Sequence, residues 1–383
     1  MAANLPLQAE GVGRGAVRHR PESRTLPAVD RHRLETAFRL QTGGCRHLGS
    51  PFYGALMERA LHDVERGGLV AEVVEHFRGD PLRGFLPLRL FGAVHELVLE
   101  GSAPALAAHY PTAGGDGDGD AAWPRFLEAL RAHRARIREG LERFPQTNEV
   151  RRCAGLLGGF LLVSRRTGLA LRLREIGCSA GLNLNWDRYH YTLGPHAWGD
   201  PSADVRLEAD WEGPAPALAE RPDVESRAGC DIDPRPIADD AGARKLEAYV
   251  WADQPERLAR LRAAVGVGRA HPPRIDRARA EDWLAGELEG TDPGVCTVVF
   301  HSSVWLYLPE GEQARVRGLL AEAGARATRD RPLVWLRHED TRDLSAVEIR
   351  LTLWPGGEEE LLGHGHPHGR RVVWAGTGDD ARA

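Results

Sequence analysis

The densest chemistry in this chain lies in one run, Glu175-Ile176-Gly177-Cys178-Ser179-Ala180-Gly181-Leu182-Asn183. It closes an apolar, arginine-interrupted stretch over 171–176 and leads into a helix-like segment. A buried strand that breaks at glycines and restarts as a helix leaves backbone N–H groups free at the strand's carboxyl end. An open α/β sheet binds nucleotide-like ligands at that place. Gly177 and Gly181 permit close backbone approach, while Ser179 and Asn183 add hydrogen-bonding groups. The spacing G-x-S-x-G is one residue short of the dinucleotide fingerprint, and it also fits a nucleophile elbow with Ser179 as nucleophile. A hydrolase would need a later acid and then a histidine, an order that Asp231 or Asp340 with His366 or His368 satisfies. Against that reading, a nucleophile elbow follows several strands, and only helical patterns precede Ser179 here.

Other residues offer chemistry less directly. His301 ends the apolar run 295–299 and should sit at a strand's carboxyl end, as a general base, a substrate-orienting group or a buried, backbone-bonded histidine. Trp305 and Tyr307 suit core or cleft lining. His364, His366 and His368 alternate as metal ligands on a strand face would, but Pro367 and the neighbouring glycines favour a turn, and no metal is expected. Asp116, Asp118 and Asp120 resemble the start of a calcium loop. Ala121 and Leu127 stand where the turn glycine and the bidentate glutamate belong, so a solvated linker is the default. Gln146, Asn148 and Glu149 interrupt a helical apolar pattern and are either a helix cap or substrate contacts.

Composition narrows the partners. With 42% apolar and 27% charged residues and a net charge of −5, the chain reads as a soluble globular protein without a basic stripe for nucleic acid. Its five cysteines are scattered without C-x-x-C spacing, which fits a reducing cytoplasm rather than a disulfide framework or zinc. No apolar run reaches the about 18 residues of a membrane span, and the N-terminus lacks a signal-like apolar region. A cytoplasmic location, a small-molecule substrate and no membrane or nucleic-acid partner are expected; nothing in the sequence fixes the oligomeric state.

The elements that must position these residues change character along the chain. Residues 1–30, rich in Arg, Pro and Gly, read as a disordered tail. Residues 31–165 follow a helical apolar period. From 166 to 383, strand-like runs at 171–176, 226–232, 273–277, 295–301, 332–337, 347–353 and 370–375 alternate with helical patterns at 181–190, 243–265 and 310–325. Alternating β and α with apolar strands implies an α/β domain with a seven-stranded, mostly parallel sheet covered on both faces and a terminal antiparallel hairpin.

The acid two residues before the first glycine, in E-x-G-x-x-x-G, resembles the first motif of class I S-adenosylmethionine-dependent methyltransferases. Further runs resemble the bacterial family called domain of unknown function 2332. They are Ser50-Pro51-Phe52-Tyr53, Gln146-Thr147-Asn148-Glu149-Val150-Arg151-Arg152, Asp187-Arg188-Tyr189, Arg227-Ala228-Gly229-Cys230-Asp231, Phe300-His301-Ser302 and His366-Pro367-His368-Gly369-Arg370. These resemblances imply a Rossmann-like, methyltransferase-type domain behind a helical lid region, with S-adenosylmethionine over Glu175, Gly177, Ser179, Gly181 and Asn183. Asp231, or its rival Asp210, would hold the ribose, and 191–225 would form a hairpin inserted over the site. Arg279 stands where an adenine-contacting Asp is expected; either Glu281 or Asp282 replaces it, with Trp283 packing nearby, or adenine recognition is degraded. His301 would be catalytic, facing one cavity with the substrate contacts Gln146, Asn148 and Glu149. A non-catalytic nucleotide-binding protein is the alternative.

Overall fold

The computed structural model describes residues 30–290 and 292–376. The tail expected over 1–30 therefore lies, apart from Asp30, outside the described residues. The chain divides into two compact units, one of residues up to 146 with 247–258, the other of 147–246 with 259 onward.

The first unit is helical: α1 (Arg31–His47), α2 (Pro51–Glu65), α3 (Leu69–Val74), α4 (Leu86–Leu99), α5 (Pro104–Ala107), α6 (Gly119–Ala132) and α7 (Arg134–Leu141). Its apolar stripes meet in a core that includes Phe38, Leu56, Met57, Phe91, Phe126 and Trp251. Polar residues fix the helix starts. Asp30 accepts from His32 N at 3.0 Å, and Asp118 accepts from Asp120 N at 2.9 Å and Ala121 N at 3.0 Å. The aspartate run thus serves as an N-cap, satisfying N–H groups that the first helical turn leaves without partners. Asp253 does the same for α2 from a distance, accepting from Phe52 N at 3.0 Å and from the Ser50 hydroxyl. Ser50-Pro51-Phe52 is therefore a helix start in which Pro51 takes the first turn, where its missing N–H costs nothing.

The second unit opens with a 3-10 turn, Val150–Arg152, and α8 (Cys153–Thr167), and then builds one sheet. Its strands are β1 (Ala170–Ile176), β2 (His190–Leu193), β3 (His196–Trp198), β4 (Arg206–Glu212), β5 (Val224–Asp231), β6 (Arg274–Arg277), β7 (Val295–Ser302), β8 (Leu333–Asp340), β9 (Val347–Trp354), β10 (Glu359–Gly365) and β11 (Arg371–Trp374). Between strands lie α9 (Asp240–Glu247), α10 (Pro255–Ala270), α11 (Ala280–Glu287) and α12 (Glu310–Ala325). The sheet order is β3-β2-β4-β11-β10-β9-β8-β7-β1-β5-β6. Six of its pairings are parallel (β1 with β5 and β7, β5 with β6, β7 with β8, β2 with β4, β4 with β11), and four are antiparallel.

The fold is α/β with a mostly parallel, mixed sheet, but it has eleven strands rather than seven. All seven expected runs form strands; β2, β3, β4 and β10 are additional. The terminal hairpin is a longer meander in which β10, itself bulged between Leu361 and Gly363, stands between β9 and β11. Residues 190–212 do contain a hairpin, β2 with β3, but it stands at the sheet's edge and not over the site. They run to the far edge of the sheet, where β4 pairs with β11. That excursion explains why 50 residues separate Gly181 from Asp231. Trp198 and Trp211 are buried there, against Trp186 and Trp374.

Strand alternation sorts side chains onto two faces. Phe300, Leu336 and His338 meet Phe160, Gly159 and Gly155 of α8. Ile176, Val299, Leu333 and Trp335 share the opposite core with Trp283 of α11 and Val316 of α12.

Candidate functional site

The sheet reverses its direction of growth at β1, since β5 lies on one side and β7 on the other. Loops leaving the two strands diverge at such a point and leave a crevice outside their carboxyl ends. Glu175 and the glycine loop stand at this point. Three residues of the loop have left-handed backbone: Gly177 at φ 64°, Ser179 at 54° and Gly181 at 70°. The two glycines are also tightly packed. A Cβ on Gly177 would come within 2.3 Å of Val304 Cγ2, and one on Gly181 within 2.9 Å of Ile275 Cδ1 and Pro273 Cγ.

Three side chains hold the loop. Asp231, at the end of β5, accepts from Ser179 N at 2.9 Å and from Asp233 N at 2.8 Å. Asn148, itself at φ 35°, accepts from Ala180 N at 3.2 Å and Leu182 N at 3.1 Å. Tyr189 donates its hydroxyl to the Leu182 carbonyl at 2.6 Å. Below it, Arg227 pairs with Asp187 through both guanidinium nitrogens, at 3.1 and 2.8 Å. Asp187-Arg188-Tyr189 and Arg227 are accordingly the frame of the loop.

Glu175 is buried, and its Oε1 accepts from Asn183 Nδ2 at 3.3 Å. Its Oε2 is buried without a hydrogen-bond partner. Burial pushes this carboxyl up to about 8; the Asn183 bond works against that, Asp231 adds to it and Arg152 opposes it. On the same face, Arg152 reaches across strand ends, donating to Pro367 O at 2.9 Å and Ser302 O at 3.3 Å. His338 is fully buried with both ring nitrogens unpartnered; burial, followed by the Arg152 charge, brings it down to about 4. Glycines make room for its ring, since a Cβ at Gly155 or Gly365 would stand 2.6 or 2.5 Å from it. Glu175, Ser302, His338 and Arg152 thus form a buried polar group under the start of α8. Arg152 was quoted only as the end of the Gln146–Arg152 run and given no role, and His338 was not singled out; its visible signal was the charged run Arg337-His338-Glu339-Asp340 ending an apolar strand.

His301 sits on the other face. Its Nδ1 bonds Glu339 Oε1 at 2.6 Å, Trp335 Nε1 donates to its Nε2 at 3.0 Å, and Trp305 stacks on the ring at 5.1 Å. Because Nε2 accepts, Nδ1 carries the proton, and both nitrogens are engaged. Glu339 also accepts from Val304 N and Trp305 N, each at 3.1 Å, and so fixes the turn after β7 whose Val304 packs on Gly177.

The remaining expected residues separate. Glu149 accepts from Arg151 N at 3.2 Å as the cap of its 3-10 turn, beside Asn148, whereas Gln146 is the last residue of the first helical segment. Asp210 lies on β4, six places along the sheet order from β1, and its N–H donates to the Arg370 carbonyl at 2.9 Å. Arg279 pairs with Glu312 at 2.6 Å and Glu281 with Arg315 at 2.9 Å. Trp283 donates to Asp276 at 2.8 Å. His366 accepts from His368 N at 2.9 Å within the turn joining β10 to β11. Among the described residues no group of three His, Cys, Asp or Glu is placed to hold a metal, and no helix is long and apolar enough to cross a membrane.

The class these features define is an α/β protein with a glycine loop and a buried polar group at the carboxyl edge of its sheet. The chain belongs to the family described as "Uncharacterized protein conserved in bacteria (DUF2332)", whose model matches residues 35–374. No curated protein and no solved structure matches it significantly.

Proposed function

We propose that this chain binds S-adenosylmethionine along the 177–183 loop and transfers its methyl group to a small-molecule acceptor, on a Rossmann-like sheet of the class I methyltransferase type. The observation that carries the reading is the Glu175 carboxyl, buried at the end of β1 with one oxygen unpartnered. Leaving such a group unsatisfied costs about 1–3 kcal/mol, which an ammonium or sulfonium beside it would offset. Two further features support it. The order β6-β5-β1-β7-β8 repeats the 3-2-1-4-5 arrangement of dinucleotide-binding sheets. Asp231 ends β5, the place where a carboxylate would hold a ribose hydroxyl.

The sulfonium supplies a methyl group that is already activated, so the protein's task is alignment. Glu175 would neutralise the cationic end of the ligand and Asn148 would keep the loop N–H groups in place. Because Val304 fills the space over Gly177 and the N–H groups of Cys178 to Leu182 are bonded within the chain, side chains, Glu175 first, would have to hold the ligand. His301, bonded at both nitrogens, is better suited to hold the Val304–Trp305 turn through Glu339 than to remove a proton.

Calorimetry with S-adenosylmethionine and S-adenosylhomocysteine tests the proposal. Binding should appear with the unmodified protein and weaken at least about tenfold in Glu175→Gln for the sulfonium ligand. A folded protein that binds neither ligand refutes it. Ser179 at φ 54° favours a second reading, because a nucleophile elbow strains its serine in this way. A fluorophosphonate label that disappears in Ser179→Ala would select the hydrolase.

A further inference from the structure

Most arginines of the sheet unit are neutralised in place. Arg174 faces Glu287, Arg227 faces Asp187, Arg279 faces Glu312 and Arg350 faces Glu348. Three that gather at one corner are different. Arg151, Arg260 and Arg370 are half-buried, and among the described residues none of them has a carboxylate within ion-pair distance. Arg151 lies in the turn before α8 and spends its Nε on the Glu208 carbonyl of β4. The β10–β11 turn lies directly on its backbone, because a Cβ on Gly369 would stand 2.2 Å from the Arg151 carbonyl oxygen. Arg370 follows that glycine, with its own carbonyl tied to Asp210 N at 2.9 Å. Arg260, on α10, keeps a buried Nε that has no hydrogen-bond partner. The Arg151 guanidinium is depressed first by burial, then by the charge of Arg260; Arg370 acts in the same sense, against a smaller opposing pull from Glu149 and Glu208.

Like charges held together in a partly desolvated corner repel each other and are little screened by salt. A guanidinium offers several fixed N–H donors, matched to the paired oxygens of a carboxylate or phosphate. We propose that Arg151, Arg260 and Arg370 form a binding site for an oxyanion, the phosphate or carboxylate group of the small-molecule acceptor. The anion site does not depend on the methyl-transfer reading; only its assignment to the acceptor rests on it. Asn148 and Arg151 are three residues apart, one bracing the glycine loop and the other in the arginine corner. An acceptor anchored at the corner would therefore lie next to the cofactor loop.

The test is calorimetry and thermal unfolding of the full chain with inorganic phosphate and, in parallel, succinate, at an ionic strength held constant with chloride. One saturable site is expected, with the stronger anion naming the acceptor's group. Affinity should fall at least tenfold in both Arg260→Gln and Arg370→Gln and stay unchanged in Arg125→Gln on α6. Without anion, the two corner variants should unfold no earlier than the unmodified protein, since removing one of several unpaired cations relieves repulsion. If they unfold earlier, the arginines are structural and the proposal fails. It fails equally if neither anion saturates, or if both variants bind as tightly as the parent. S-adenosylhomocysteine binding in the same preparations separates the readings: an unmodified protein that binds the nucleoside but saturates with neither anion would refute this inference alone.

Discussion

Replacing Glu175 by glutamine should change how the protein's stability depends on pH. In the unfolded chain the carboxyl ionises near 4.5; in the folded protein burial raises this to about 8. Below 4.5 both states are protonated and the group has no effect. Between 4.5 and about 8 the unfolded chain has released a proton that the folded one keeps, so stability falls as pH rises. Above about 8 both are ionised and the loss is complete. At 1.36 kcal/mol per pH unit the full loss is about 4–5 kcal/mol, undiminished by solvent because the carboxyl is buried. The substituted glutamine does not titrate but keeps an oxygen for Asn183. The stability of Glu175→Gln relative to the parent should therefore rise by about 1.4 kcal/mol for each pH unit from 5 to 8 and then level off. Urea unfolding followed by tryptophan fluorescence measures it, because eight of the ten tryptophans lie in the sheet unit. A difference between the two proteins that stays constant from pH 5 to 8 would mean that Glu175 ionises normally, and the case for a buried, unsatisfied carboxyl would collapse. The same titration predicts that binding of a cationic ligand at pH 7 releases close to one proton, visible as a buffer-dependent binding enthalpy.

His338 should govern the acid limb: held near 4 against 6.5 in the unfolded chain, it removes about 3 kcal/mol of stability as pH falls from 6.5 to 4. His338→Gln should flatten that limb in acid-unfolding curves. Asn148→Ala loses both bonds to the loop and keeps a left-handed backbone, so it should cost about 2–4 kcal/mol, while Asn148→Asp, which retains the acceptor, should cost far less in urea unfolding. Arg227→Ala leaves Asp187 half-buried without its guanidinium partner, and a stability reduced by about 1–3 kcal/mol is expected in urea unfolding, with Arg227→Lys restoring only part.

The parallel core was legible because β7, β8 and most of β1 are buried on both faces and begin as apolar runs, whereas only the second half of β5 is buried. The glycine loop was legible from its own spacing, and the structure adds which residues brace it. The strands that escaped notice had physical reasons to. β2 and β3 are 4 and 3 residues long, and β10 carries glutamates and two glycines, one at a bulge. β4 does alternate, burying Leu207, Ala209 and Trp211, but prolines and glycines on either side suggested an inserted hairpin and not a strand of the main sheet. The helical pattern over 243–265 likewise divides, because Pro255 starts α10 afresh. The site was harder to read than the fold. Which end of α8 reaches the strand ends decides that Arg152 meets Ser302, and local sequence does not encode that distance. His301 was correctly placed at a strand end, but the parity of the strand turned it to the Trp335 face, away from Glu175.

The pairing of β4 with β11 sets the order in which this protein can assemble. Arg371 and Asp210 are neighbours in the sheet although 161 positions separate them in the chain. During synthesis, β2 to β4 emerge first and must wait, with one edge open and Trp211 without its Trp374 partner, until the last strand leaves the ribosome. At about 5–20 residues per second that delay is on the order of ten to thirty seconds. An open strand edge beside an apolar face is a template for pairing with another chain. Nascent chains of this protein are therefore exposed to intermolecular association during that interval, and loss of the last strand would make the exposure permanent.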